Sequence, residues 1–249
     1  MASFTPTIPA PRPKTSRGNR ADLPPVIGGG DGGGRPDPGS PDYGARLRRA
    51  RLGLAVALTP IMMLFVAFTS AYIVRQGLPT FDPSTNTVVH DWIPVPLPTL
   101  LFLINTCVLL VSSVTIELAR RQLARQVALE PVQSIPGVSL GTESKFPWLG
   151  LTIILGLGFL AGQWLAWREL AARGFYVATG PSSSFVYLLT GGHAVHLFGG
   201  IIALLAAGVA VLLNRPLASR RIIVDVTAWY WHFMALLWIY ILALLEFAR

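Results

Sequence analysis

The chain has 249 residues, of which 52% are hydrophobic and only 13% are charged. Soluble domains carry about 25% charged residues on average, so too few ionic groups are present to cover a water-facing surface. The formal net charge is +8, but the basic residues lie mainly beside apolar segments, which argues against a nucleic-acid partner. The single cysteine excludes an internal disulfide framework. The composition therefore indicates an integral membrane protein.

The first 44 residues are rich in proline and glycine and include the run Gly28–Gly34. Such a segment buries too little apolar surface to offset the entropy lost on ordering. We therefore predict a disordered tail over residues 1–44, followed by a membrane domain over residues 45–249. One hypothesis for the tail is that it rests on anionic lipid or on a neighbouring subunit.

Five long apolar segments follow the tail and predict an all-α integral membrane bundle. Uncharged segments of 20 residues or more are long enough to cross a bilayer core as helices. The predicted transmembrane helices cover residues 52–74, 97–119, 148–170, 185–213 and 222–247. The polar residues 120–130 favour an extension of the second helix beyond the membrane, ending at Pro131. The proline-containing connection 76–96 is predicted to be irregular.

The distribution of basic residues predicts the orientation of the bundle. Sixteen of the 20 lysines and arginines precede the first helix or lie in the second and fourth connections. Cytoplasmic segments of membrane proteins carry an excess of Lys and Arg. The N-terminus is therefore predicted to be cytoplasmic and the C-terminus periplasmic.

Three histidines are the first candidates for chemistry inside the membrane. His193 and His196 are three residues apart and share a helix face, and His232 on the last helix could reach them. Together they could hold a metal ion, but a stable site normally needs further ligands at the same depth. A haem bound between two facing helices needs one histidine from each helix, and these three histidines provide only one or two such pairs. The simpler interpretation is that these side chains form hydrogen bonds between the last two helices.

The carboxylates Glu117, Asp225 and Glu246 lie towards helix ends. An ionisable group in a membrane helix is a candidate site, but an end position favours a structural ion pair over a proton relay. No phosphate-binding loop, zinc-protease motif or nucleophile elbow is present in the sequence. These residues predict a bundle without its own cofactor, typical of a subunit of a larger complex. A small membrane transporter is the alternative of another class.

Four segments resemble, in the same order, motifs of subunit III of the haem-copper cytochrome c oxidases. They are Phe68–Arg75, Asn105–Thr115, Thr190–His196 with its pair of histidines, and Ala228–Phe233 with its Trp-Tyr-Trp-His run. The resemblance covers roughly residues 50–248. Shorter bacterial members of the family have five helices, which agrees with the number predicted here.

The resemblance implies a non-catalytic subunit of a terminal oxidase in the bacterial inner membrane. Such a subunit holds no metal, packs on subunit I, and sustains electron transfer from cytochrome c to oxygen coupled to proton pumping. Haem and copper are then expected in partner subunits, with subunit II and cytochrome c in the wider complex. Quinol oxidases and accessory proteins of nitric oxide reductase share much of the pattern and are alternatives.

The family also binds phospholipid in a cleft between its helices, which suggests a set of site residues. The candidate lipid-binding or interhelical polar residues are His193, His196, Arg215, Arg220, Arg221, Asp225, Trp231 and His232. The arginines suit a lipid phosphate because guanidinium groups bind phosphate with paired hydrogen bonds. Leu100 stands where the family has an intramembrane glutamate, and Ala235 where it has an aspartate. The roles attributed to those carboxylates are therefore not expected in this chain.

Overall fold

The computed structural model describes residues 43–82, 84, 86–89, 92–133, 147–213 and 215–247. Almost all of the tail predicted over residues 1–44 lies outside these residues. Five helices and one short hairpin make up the described part of the chain. The elements are α1 (Tyr43–Gly77), β1 (Thr80–Asp82), β2 (Thr87–Val89), α2 (Thr99–Gln133), α3 (Trp148–Ala172), α4 (Pro181–Leu212) and α5 (Leu217–Phe247).

All five helices are long and apolar enough to cross a membrane, which confirms the predicted five-helix bundle. Helical hydrogen bonding satisfies the backbone of each segment internally, as a bilayer core requires. α1 begins at Tyr43, before residue 52, and so includes the four arginines that precede the predicted segment, Arg46, Arg48, Arg49 and Arg51. α2 includes the polar extension predicted for residues 120–130. The predicted stop at Pro131 is wrong, because α2 continues to Gln133. A proline this close to a helix end removes only one terminal hydrogen bond.

The connection between α1 and α2, predicted to be irregular, contains an antiparallel hairpin. Strands β1 and β2 pair Thr80 with Val89, Phe81 with Val88, and Asp82 with Thr87. Asn86 lies in the turn with φ of 53°, a left-handed conformation that asparagine adopts more readily than most residues. A strand of three residues is too short to show the alternation of polar and apolar residues by which strands are recognised in a sequence, and prolines lie close to both strands.

α5 is the central helix of the bundle. It packs against α1, α2 and α4, while α3 packs between α2 and α4, and α1 lies at the edge against α4 and α5. The interior is aromatic, with Trp231, Trp238, Phe102 and Phe159 fully buried. Apolar side chains such as Leu100 point outward, as expected for helices whose outer surface meets lipid.

Glycine lets the Trp231 side chain approach α3 closely. A Cβ on Gly156 would lie 2.8 and 3.0 Å from two ring carbons of Trp231, whereas a Cβ on Gly158 would meet nothing within 4 Å. We expect Gly156→Ala to lower the free energy of unfolding by about 1–3 kcal/mol, the usual effect of overpacking. The matched variant Gly158→Ala should be neutral or stabilising by up to about 1 kcal/mol, from helix propensity alone.

Thermal unfolding of the purified chain in mild detergent measures both effects. Equal melting temperatures for the two glycine variants would show that the Trp231 ring moves aside without cost.

Candidate functional site

Asp225, near the start of α5, is the centre of an ion-pair cluster at one end of the bundle. Its carboxylate accepts two hydrogen bonds from Arg51 of α1, at 2.8 and 2.9 Å, and one from Arg120 of α2 at 3.1 Å. The Asp225 side chain is 8% exposed, against 46% for Arg51 and 31% for Arg120. Paired hydrogen bonds between arginine and carboxylate are strong and directional, so this cluster fixes three helices relative to one another.

Glu117 on α2 extends the cluster towards the middle of that helix. Its two carboxylate oxygens accept hydrogen bonds from Arg120 at 2.8 and 2.9 Å, and one also accepts from Arg121 at 2.8 Å. Nε2 of His232 lies 3.7 Å from the nearer Glu117 oxygen. Three arginines and two carboxylates therefore form one connected group across α1, α2 and α5, with His232 at its inner edge.

Trp231 on α5 joins four helices. Its indole Nε1–H donates to Oγ of Ser112 on α2 at 3.0 Å. Its six-membered ring packs against Gly156 of α3 and Gly200 of α4, where an added Cβ would lie within 3.2 Å of ring carbons. From the sequence, Trp231 is a candidate lipid-binding or interhelical residue, and its hydrogen bond to Ser112 joins α5 to α2.

Further polar side chains join α2 to its neighbours in the bundle core. Nδ2 of Asn105 donates to the carbonyl of Phe159 at 3.1 Å. The hydroxyls of Thr115 and Thr152 are 2.9 Å apart, and Nε1 of Trp238 donates to Oγ1 of Thr106 at 2.9 Å. Polar groups inside a membrane are satisfied within the protein, so these bonds specify which helix faces meet.

The three histidines do not form the expected side-chain bonds between the last two helices. His193 is fully buried on α4 and contacts the rings of Phe159 and Trp238, but it has no hydrogen-bond partner among the described residues. Nδ1 of His196 lies 2.7 Å from the carbonyl of Gly192 in its own helix. The α4–α5 bond instead runs from the hydroxyl of Tyr230 to the backbone carbonyl of His196, at 2.8 Å.

His232 joins α5 to α2 rather than to α4. Its Nδ1 lies 3.0 Å from Oγ of Ser113. The i, i+3 spacing of His193 and His196 placed both on one face, but only the rotation of each helix decides which neighbour a side chain meets. Within the described ranges, no group of three or more His, Cys, Asp or Glu residues is arranged to hold a metal ion.

The three arginines proposed for lipid binding lie at the turn between α4 and α5. Arg215 is exposed, while Arg220 and Arg221 are half-buried on the first turns of α5. Nε of Arg220 donates to the carbonyl of Arg215. The Asp225 carboxylate binds Arg51 and Arg120, which lie on α1 and α2 rather than in this turn.

Sequence reasoning missed several residues that the structure places in this site. Arg51 and Arg120 were interpreted only as markers of orientation, and the partners Ser112, Ser113 and Asn105 only as part of a resemblance. The one indication in the sequence was that Asp225, a carboxylate near a helix end, requires a basic partner if it is buried. It could not identify arginines that are 174 and 105 residues away.

The fold and this site define a multi-pass membrane bundle whose buried polar groups connect its helices. The sequence model of the family described as cytochrome c oxidase subunit III matches residues 45–247. The chain belongs to the cytochrome c oxidase subunit III family.

Individual relatives agree with the family match. Cytochrome c oxidase subunit 3 of Danio rerio is 28% identical over 196 residues, covering 77% of this chain and 66% of that protein. The probable cytochrome c oxidase subunit 3 of Mycobacterium leprae is 25% identical over 200 residues, covering 80% and 87%. That of Mycobacterium tuberculosis is 30% identical over 102 residues, covering 41% and 50%. The chain thus spans about two thirds of the Danio rerio relative.

Proposed function

We propose that this chain is the non-catalytic third subunit of a bacterial haem-copper terminal oxidase. It packs on subunit I, with subunit II and cytochrome c in the wider complex, and sustains turnover and proton pumping by supporting the catalytic subunit. Haem and copper are held by the partner subunits. The observation that carries the proposal is the family match over the whole membrane domain, residues 45–247.

The polar contacts of the bundle support a scaffolding role. The connected charges of Arg51, Arg120, Asp225 and Glu117 compensate one another at a helix end. The aromatic interior is closely packed around Trp231. A rigid bundle with an apolar exterior suits lateral packing against another membrane subunit, because close van der Waals contact drives such association in lipid.

Affinity purification through a tag on this chain tests the assignment. The chain is extracted in mild detergent from its native membrane, and the product is examined by optical spectroscopy and by identification of co-purifying chains. Haem absorption together with a large histidine-rich membrane partner is the expected result. A colourless preparation without partners would contradict the proposal, and flux assays in liposomes would then test a transporter.

We also propose that Arg215, Arg220 and Arg221 bind the phosphate of a membrane phospholipid. Arginines near a membrane surface attract anionic headgroups. The carboxylate of Asp225 would repel a phosphate if it were unpaired, but Arg51 and Arg120 compensate its charge. The carboxylate of Asp225 therefore does not oppose a phosphate near these arginines.

Loss of bound lipid is the expected result of the double variant Arg220→Gln/Arg221→Gln. Mass spectrometry of lipid retained after delipidating washes should show at least about a threefold decrease in anionic phospholipid per protein, because two headgroup contacts of roughly 1 kcal/mol each are removed. Arg168→Gln, at an exposed position on α3, is the matched control and should retain lipid. Equal lipid content in the two proteins would contradict the site.

The predicted orientation has its own test. Alkaline phosphatase fused after residue 249 should be active, because that end is predicted to be periplasmic. The same enzyme inserted after residue 140, in a connection predicted to be cytoplasmic, should be inactive. The reverse pattern of activities would show that the bundle is inverted.

A further inference from the structure

Two polar side chains in the centre of the bundle make no hydrogen bond to the rest of the described chain. Gln163 on α3 is 1% exposed and His193 on α4 is fully buried. All four of their side-chain nitrogen and oxygen atoms lack a partner. The bilayer core offers no bulk water to such groups, so leaving them unsatisfied is costly. These four atoms therefore mark a place where a small polar ligand would be stabilised.

Helix geometry places the two side chains at the same level of the α3–α4 interface. The ring of Phe159, one turn before Gln163, has its centroid 5.8 Å from that of His193. Trp167, one turn after Gln163, donates its Nε1–H to Oγ1 of Thr190 at 3.0 Å, and Thr190 lies one turn before His193. α3 and α4 are therefore antiparallel here, with Phe159 at the level of His193 and Trp167 at the level of Thr190. Gln163 lies midway between Phe159 and Trp167 on the same helix face, so it faces α4 between the levels of Thr190 and His193.

We propose that Gln163 and His193 bind one internal water molecule between α3 and α4. A buried water normally has two to four polar partners. The Gln163 amide offers donors and an acceptor, and a neutral imidazole offers one of each. The rings of Phe159 and Trp238, whose centroids lie 5.8 and 5.2 Å from that of His193, surround this group with apolar surface.

The water bridge makes the two side chains energetically dependent on each other. Gln163→Leu or His193→Leu alone leaves one polar side chain facing an apolar replacement. The double variant leaves neither, and two apolar groups of similar size can replace a hydrogen-bonded pair with little loss.

A double-mutant cycle on the full chain, purified in mild detergent with its co-purifying subunits, tests this dependence. We expect each single variant to raise the rate of thermal inactivation about tenfold, and the double variant to return within about threefold of the unmodified protein. Trp164→Leu, next to Gln163 but 61% exposed, is the control and should change the rate little. Single-variant effects that simply multiply in the double variant would overturn the proposal.

A density map of the assembled complex at a resolution that shows ordered water separates a bridge from a direct bond. Density about 2.7–3.2 Å from both a Gln163 amide atom and a His193 ring nitrogen is the expected result. A direct hydrogen bond between the two side chains would also give a coupled cycle, but without that density, and would overturn the water site.

Discussion

Replacing Trp231 with alanine is expected to lower the free energy of unfolding by about 3–5 kcal/mol, the range measured for buried aromatic residues. The indole is fully buried and fills the space between Gly156 and Gly200. Truncation leaves a cavity between α3 and α4. It also removes the hydrogen bond that Ser112 accepts, and a buried hydroxyl without that partner adds to the loss.

The control for this variant lies two residues away on the same helix. Trp229 is 52% exposed, so Trp229→Ala removes surface from the outside of the bundle and opens no internal cavity. Thermal unfolding of the two variants in the same detergent should separate them by many degrees. Similar melting temperatures would show that Trp231 is not the packing centre of the bundle.

Replacing Asp225 with asparagine is expected to cost about 2–3 kcal/mol. Breaking a fully buried ion pair costs about 3–5 kcal/mol because it leaves an uncompensated charge. Here Arg51 and Arg120 are partly exposed, so water screens part of the charge and the loss is smaller. Asparagine keeps the size of the side chain, so the effect reports the charge rather than a cavity.

The matched control is a more exposed ion pair at the opposite end of the bundle, where Arg173 also donates to the carbonyl of Pro96, just before α2 begins. Glu169 pairs with Arg173 one turn away, and both side chains are about 40% exposed. Glu169→Gln should cost no more than about 1 kcal/mol, as for most surface pairs. If Asp225→Asn lowered the melting temperature no more than Glu169→Gln does, the ion-pair cluster at Asp225 would not be what holds α1, α2 and α5 together.

The helices of this chain could be predicted because a membrane leaves the backbone few alternatives. An apolar segment of more than 20 residues must satisfy its peptide groups internally, and a helix does so from local sequence alone. The hairpin between α1 and α2 follows no such rule. Its strands have three residues each, so turn geometry and contacts decide its structure.

The site was predictable in composition but not in pairing. Spacing showed that His193 and His196 share a helix face, yet one contacts rings in the core and the other bonds within its own helix. Sequence spacing likewise cannot distinguish Gly156, where an added Cβ would meet the Trp231 ring, from Gly158, where an added Cβ would meet nothing within 4 Å. The partners of the histidines and of the glycines both depend on how each helix is rotated about its axis, and only the assembled bundle determines that rotation.

The central position of α5 bears on the order in which the protein is made. The bonds of Asp225 to α1, of Trp231 and His232 to α2, and of Tyr230 to α4 all originate on this helix. Synthesis proceeds from the N-terminus, so α1 to α4 enter the membrane before the α5 side chains that bind to them exist. The bond between Arg51 and Asp225, for example, joins residues that are 174 positions apart in the chain. A chain that ends before residue 217 would lack all of these bonds, and among the described elements α1 would keep only its packing against α4.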